Sequence, residues 1–277
     1  MEHATRAVAP GLDSYVAWLS GYAYNGEPPE LHRGLPSQHM TVVICLDEPL
    51  GIAFPGEPVD KFHALAGGLH DTAVAIGQSR NRSGVQLALT PEGSRVLLGV
   101  PPAELSRMVV DLGDVLGPGA RRLPDRLASL PSWAERFDVI ESFLARAVRT
   151  RATEPRPEVG WAWRRLRETA GGVGVQTLAT EVGWSRRHLT DRFQQEYGLP
   201  PKVAARVLRF ERAVGQMRSS TRPRLAEIAA RCGYADQAHL TREWQAIAGC
   251  TPRRWIAEEL PYVQDFDAAR GHSEGYE

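Results

Sequence analysis

The sequence predicts an α+β protein: a β-rich N-terminal domain, for which a barrel is one open arrangement, with appended helices, then an all-α C-terminal domain of two helix-turn-helix units joined by a linker helix. Three observations predict it. A stretch beginning near Leu178 recurs near Ile228 with the same order of apolar, glycine and aromatic positions. Short apolar runs bounded by turn residues fill the region before Pro91. Basic side chains gather late in the chain: residues 160–262 hold 17 Lys+Arg against 10 Asp+Glu, leaving 16 against 23 elsewhere.

At 277 residues the chain is long enough for two domains, each with its own core. The formal net charge is zero, so the asymmetry matters more than the total. A basic module beside an acidic remainder is the pattern of a polyanion-binding domain attached to a non-binding one. Lys61 and Lys202 are the only lysines, and an arginine-rich composition accounts for part of the excess. Cys45, Cys232 and Cys250 form no metal-ligand spacing, and an odd number leaves one unpaired. Reduced thiols in or near a core are expected. With no apolar run of spanning length and no signal-peptide core, a cytoplasmic location and no membrane partner are expected.

In chain order, residues 13–22 read as a short amphipathic helix with Tyr15, Trp18 and Tyr22 on one face. Such a stripe is core in most proteins; a ligand-facing role for Trp18 and Tyr22 is the alternative. Gly26-Glu27-Pro28-Pro29 breaks the chain. Strands are expected at residues 39–46, 51–54, 72–77 and 85–89, the last two joined through Asn81-Arg82-Ser83-Gly84 and the whole antiparallel. From Pro91 the pattern turns helical, with starts at Pro91 and Pro101. Ser132-x-x-Glu135 is a capping box before a helix reaching about Thr150, whose buried face is Phe137, Ile140, Leu144 and Ala147. Residues 150–160, with two prolines and no periodicity, read as linker, and a helix over residues 161–169 follows.

Each copy of the repeat has the parts of a helix-turn-helix: a short helix carrying Leu178-Ala179 or Ile228-Ala229, a Gly-aromatic corner at Gly183-Trp184 or Gly233-Tyr234, and a polar second helix. Glycine suits a corner that needs positive φ. Ser185 and Asp236 stand where a side-chain oxygen caps the second helix. Leu189 with Phe193, and Leu240 with Trp244, are four apart and face inward. Between the copies, Pro201 and the run Val203, Val207, Phe210 and Val214 predict one continuous helix. About 17 residues at about 1.5 Å each make a spacer of about 25 Å, fit to hold two recognition helices against successive major grooves.

These residues resemble the DNA-binding domain of the AraC/XylS family of bacterial transcription regulators. The resemblance is carried by Leu178-Ala179, Gly183-Trp184-Ser185, Leu189 and Phe193, by Arg209-x-x-x-Ala213, and by Ile228-Ala229, Gly233-Tyr234, Gln237, His239-Leu240-Thr241-Arg242, Trp244 and Gly249-Cys250-Thr251-Pro252-Arg253-Arg254-Trp255. The second half matches best. The first departs with Pro200, where Ser or Thr is usual, and with Asp191 at an outward position; a carboxylate there either reads a cytosine amino group or holds a neighbouring arginine. The resemblance implies a monomeric bipartite reader of double-stranded DNA. Residues 89–105, from Leu89-Thr90-Pro91-Glu92-Gly93 through Leu98-Gly99-Val100-Pro101 to Glu104-Leu105, are similar to the sensor domains that precede this module in related regulators, which implies effector binding, dimerisation or both.

The expected organisation is therefore a sensor, effector or dimerisation domain over residues 1–152, a linker over 153–159, a DNA-binding domain over 160–262 and a flexible tail over 263–277. Arg187 and Arg242 are candidates for guanine, Gln237 for adenine, and His188, Thr190 and His239 for weaker contacts. Arg186, with the backbone amides near Ser185 and Thr251, is a candidate for phosphate. Expected partners are DNA, a small-molecule effector, RNA polymerase and a second copy of the chain. No catalytic residue, cofactor or metal is assigned. His32, His39, His63 and His70 show no metal-ligand or nucleophile motif, and Gly67-Gly68 and Gly171-Gly172-Val173-Gly174 lack the context of a phosphate cradle. Two rivals stay open for the N-terminal domain: an enzyme, or a module that only contacts proteins.

Overall fold

The computed structural model describes residues 2–25, 32–77, 79–148, 155–219, 221 and 223–259. The expected break at Gly26, part of the 153–159 linker and the tail after residue 262 lie outside the described residues.

The N-terminal part is built on two open antiparallel sheets. One contains β1 (Glu2–Arg6), β2 (Val16–Asn25), β4 (Met40–Cys45), β7 (Ala64–Gly67), β9 (Asn81–Leu89) and β10 (Val109–Asp111), in the order β1-β2-β9-β4-β7-β10. The other contains β3 (His32–Gly34), β5 (Leu50–Ala53), β6 (Asp60–Phe62) and β8 (Val74–Ile76), in the order β3-β8-β5-β6. Among the described residues no barrel closes, since the end strands β1 and β10 of one sheet, and β3 and β6 of the other, do not pair. The central strands are buried on both faces. Val42 and Ile44 point to one side and Val43 and Cys45 to the other, and all four are buried. One face of the larger sheet joins the main core with Leu19, Val85, Leu87 and Leu89; the other packs Val43, Cys45 and Leu65 against Leu50, Ile52 and Val74 of the smaller sheet.

Two strand expectations are corrected. Residues 16–25 form a strand and not a helix, because β2 is paired along its length with β1 and β9, and ladder bonds on both sides outweigh an amphipathic pattern that suits either period. Asn81-Arg82-Ser83-Gly84 is no connector: it is the start of β9, opposite Tyr22–Asn25, while Val74–Ile76 lies in the other sheet.

Helices cover the outer face of the larger sheet. Thr90 caps α1 (Pro91–Gly93), which runs into a π turn at Ser94–Leu98, and a 3₁₀ turn follows at Pro102–Leu105. Next come α2 (Leu112–Leu116), α3 (Pro118–Arg121), α4 (Leu123–Ala128) and α5 (Trp133–Val148). Ser132 accepts from the Glu135 amide at 3.3 Å and donates to its carboxylate at 3.1 Å. Phe137, Ile140 and Leu144 are buried, and Ala147 is half-buried.

All helices, α6 (Pro157–Glu168), α7 (Val175–Glu181), α8 (Arg186–Tyr197), α9 (Pro201–Arg218), α10 (Leu225–Arg231), α11 (Gln237–Ala248) and α12 (Pro252–Glu258), make up the C-terminal part. Helix α6 starts four residues before the expected Trp161, with Pro157 in its first turn, where the missing amide hydrogen costs nothing. Two cores meet inside α9. Residues up to Leu208 belong to the core shared with α6, α7, α8 and the N-terminal part; Phe210 onward belongs to a second core with α10, α11 and α12.

Candidate nucleic-acid interface and ligand cavity

Both copies turn the same corner in the same way. Gly183 and Gly233 have φ of +73° and +75°, and the aromatic after each donates its amide back to an alanine carbonyl: Trp184 to Ala179 and Tyr234 to Ala229, both 2.9 Å. The glycine amides reach Thr180 and Ala230. This double closure ends the first helix and aims the second. Ser185 then accepts from the His188 amide at 3.2 Å, and Asp236 from the His239 amide. Leu189, Phe193, Leu240 and Trp244 are fully buried.

With those faces inward, Arg186, Arg187, His188 and Asp191 on α8, and Gln237, Ala238 and Arg242 on α11, are exposed. Thr190 and His239 are half-buried. His239 accepts from the Ala235 amide at 3.2 Å and sits edge-on to Tyr234; His188 sits edge-on to Trp184. Ser185 is engaged in its cap, and Thr251 likewise caps α12 through the Arg254 amide. The Arg187 Nε lies 4.0 Å from the Asp191 carboxylate, one turn away. The exposed cations of two capped helices are chemically suited to phosphate and base edges.

The spacer is tied to the second unit. Arg206 of α9 donates to Glu243 of α11 at 3.1 Å, Arg209 lies 3.8 Å from the same carboxylate, and Arg209 also donates to the Gly171 carbonyl at 3.2 Å. Gly171, with φ +74°, brings its backbone so close to α9 that a Cβ would meet the Ala205 carbonyl at 2.1 Å.

A cavity of about 370 Å³ lies between the two sheets and the second unit of the C-terminal part. Trp18, Tyr22 and Tyr24 of β2, Thr41 and Val43 of β4, and Gln86 and Ala88 of β9 line it by the strand alternation; Val214 and Arg218 of α9, with Trp255 of α12, complete it. The spacing of four between Trp18 and Tyr22 keeps them on one face in a strand as in a helix. His32, His39 and His70 line the cavity and His63 does not. Among the described residues no group of three or more His, Cys, Asp or Glu is placed to hold a metal. Burial pushes the Tyr22 phenol up and the His70 imidazole down, so both favour their neutral forms. The three cysteines are free and buried.

At the cavity's edge the N-terminal sheets are joined to α12. The Glu259 carboxylate is 1% exposed and accepts from the Arg33 amide and guanidinium and pairs with His32 at 2.9 Å. Burial pushes its pKa up, but the bonds from His32 and Arg33 outweigh this and hold it below the usual range. Arg33 also reaches Glu258 at 2.9 Å. The first unit is docked separately, through a bidentate Arg95–Glu196 pair at 2.7 and 2.6 Å. Sequence reasoning missed both pairs, because each joins residues far apart in the chain.

A family model described as a helix-turn-helix domain matches residues 178–258. The F1 operon positive regulatory protein of Yersinia pestis is 36% identical over 83 residues, which is 30% of this chain and 27% of that protein. The chain therefore matches about a quarter of that relative's length. Among solved structures, ToxT from Vibrio cholerae O395 covers 89% of this chain and 98% of its own at a TM-score of 0.51 and 9% identity. Unsaturated fatty acid bound wild-type ToxT from strain SCE256 covers 91% and 97% at 0.50 and 8%. At such identities the likeness is one of fold.

Proposed function

We propose, on the premise that residues 178–258 form a helix-turn-helix domain of the AraC/XylS type, that the chain is a sequence-specific transcription regulator whose N-terminal part senses a small molecule. The observation that carries this is the repetition of one corner-and-cap geometry, leaving Arg187 and Arg242 exposed on α8 and α11. Arg187, Arg242 and Gln237 read bases in this proposal, His188, Thr190 and His239 make weaker contacts, and Arg186 with the helix starts at Ser185 and Thr251 grips phosphate. Asp191, near Arg187, orients that guanidinium.

The cavity supports sensing over a module that only contacts proteins: it is lined by aromatic and aliphatic groups from both parts of the chain, whereas Val59 and Met108 are the only large hydrophobics exposed among the described residues. An effector there touches β2 through Trp18 and Tyr22 and the DNA-binding part through Val214 and Trp255, and so biases how the second unit sits. Since a ToxT structure is described as bound to an unsaturated fatty acid, an amphipathic carboxylic acid is the first class to test. RNA polymerase and a second copy of the chain are proposed as further partners.

The test is selection of bound fragments from the host genome, then footprinting with and without long-chain carboxylic acids. Enrichment of one sequence whose footprint spans two adjacent major-groove segments supports the reading. Binding without sequence preference overturns it.

A further inference from the structure

Superposing the two units by their helix caps, Ser185 on Asp236, sets Arg186 against Gln237, Arg187 against Ala238, Asp191 against Arg242 and Gln194 against Gln245. The buried faces correspond as well, Leu189 with Leu240 and Phe193 with Trp244. At about 100° per residue, positions 187, 191 and 194 on α8 and 238, 242 and 245 on α11 lie on the side away from those faces. All six are exposed. These are the side chains that a helix lying in a major groove presents deepest.

Their chemistry differs at two of the three positions. The first unit carries an arginine with a carboxylate one turn later, 4.0 Å away. The second carries a methyl group with an arginine one turn later. Arg242 has no hydrogen bond or ion pair among the described residues, because the position that would answer it one turn back is Ala238. Arg187 has a carboxylate one turn away to pair with; Arg242 has only a methyl group at the matching position.

We propose that Ala238 is a specificity-determining residue: its methyl packs against the 5-methyl of a thymine neighbouring the guanine read by Arg242, while the Arg187–Asp191 pair of α8 takes only G·C. The first recognition helix thus meets a G·C element and the second a mixed one containing T·A. A guanidinium oriented by a neighbouring carboxylate matches the O6/N7 acceptors of guanine, and a small apolar side chain is complementary to the thymine methyl. A longer side chain at 238 would hold the backbone off that methyl.

This rests on the regulator reading above, and one experiment separates the two. The full-length chain selects its site from random duplex DNA. The selected site is then remade with deoxyuridine for each thymine in turn, which removes only the methyl. Wild type loses about fourfold in affinity at one thymine, as expected for one buried methyl group, and Ala238→Gly shows no loss there. Ala238→Arg selects G·C in place of T·A at that position and leaves the α8 element unchanged. If wild type selects a site but deoxyuridine has no effect at any thymine in the α11 half, the inference is overturned while the reading stands. Failure of wild type to enrich any sequence overturns the reading itself. Thermal melting of both variants checks that the fold is retained at this exposed position.

Discussion

Arg242 and Ser185 show how differently exposed residues of one helix pair act. Arg242 makes no hydrogen bond or ion pair among the described residues, so Arg242→Ala is expected to leave folding unchanged while weakening operator binding by about 1–3 kcal/mol and relaxing one base position. A footprinting titration on the selected site and its single-base variants measures both. Ser185 has its hydroxyl occupied by the His188 amide. Ser185→Ala is therefore expected to cost about 1 kcal/mol of stability, read from urea unfolding, and Ser185→Gly only a few tenths. The cap and the outward position were both legible from the residues alone: a cap is a local bond three residues long, and an outward position follows from helical spacing. The Arg187–Asp191 contact was legible only as one of two alternatives, because a spacing of four permits a pair without setting the rotamers.

At the scale of elements, α9 is the member that makes two units into one reader. Its N-terminal half lies in the core shared with α6, α7 and α8 and its C-terminal half in the core of α10, α11 and α12. Glu243, with a side chain 16% exposed, fastens α11 to α9 by accepting from Arg206 and by its charge 3.8 Å from Arg209. Glu243→Gln is expected to destabilise by about 1.5–3 kcal/mol through loss of charge-assisted bonds, and to weaken protection of the α11 half of the footprint more than the α8 half. Equal loss over both halves would show that the tie does not orient α11. The helices of this part could be read from caps, corner glycines and apolar spacing. The strand β2 could not, since Trp18 and Tyr22 share a face at either period, and β1, β3, β6, β7 and β10 carry no apolar run bounded by turn residues that marks them without their pairing partners.

For the whole molecule, the C-terminal part is held to the N-terminal part by a shared apolar core and by polar contacts that include Arg95–Glu196 at the first unit and the Glu259 cluster at the second. Glu259 is held below its usual pKa when folded. Its contribution is thus present above the unfolded value of about 4.3 and is lost as pH falls through the lowered folded value. The fall of Tm on acidification below about pH 4.3 is expected to be shallower in Glu259→Gln than in wild type. An unchanged slope would place the acid sensitivity elsewhere. Narrowing the cavity from the sheet side by Thr41→Trp, away from the core of the second unit, is expected to abolish any response to effector while leaving basal DNA binding intact, measured by footprinting with and without ligand. Affinity is also expected to fall by about 10³-fold between 50 and 200 mM salt if about six phosphates are neutralised.

By itself the sequence determined the repeated corner, the capped helices, the spacer and the charge excess around them, because each depends on neighbours within one or two turns of chain. It also placed Trp18 and Tyr22 together, though on the wrong element. Only the tertiary structure decided that the sheets stay open, that a cavity forms where they meet α9 and α12, and that Glu259 closes onto Arg33 and His32. The cavity and the Glu259 cluster join residues more than a hundred positions apart and the strands pair across tens, and no periodicity or local motif encodes which distant surfaces meet.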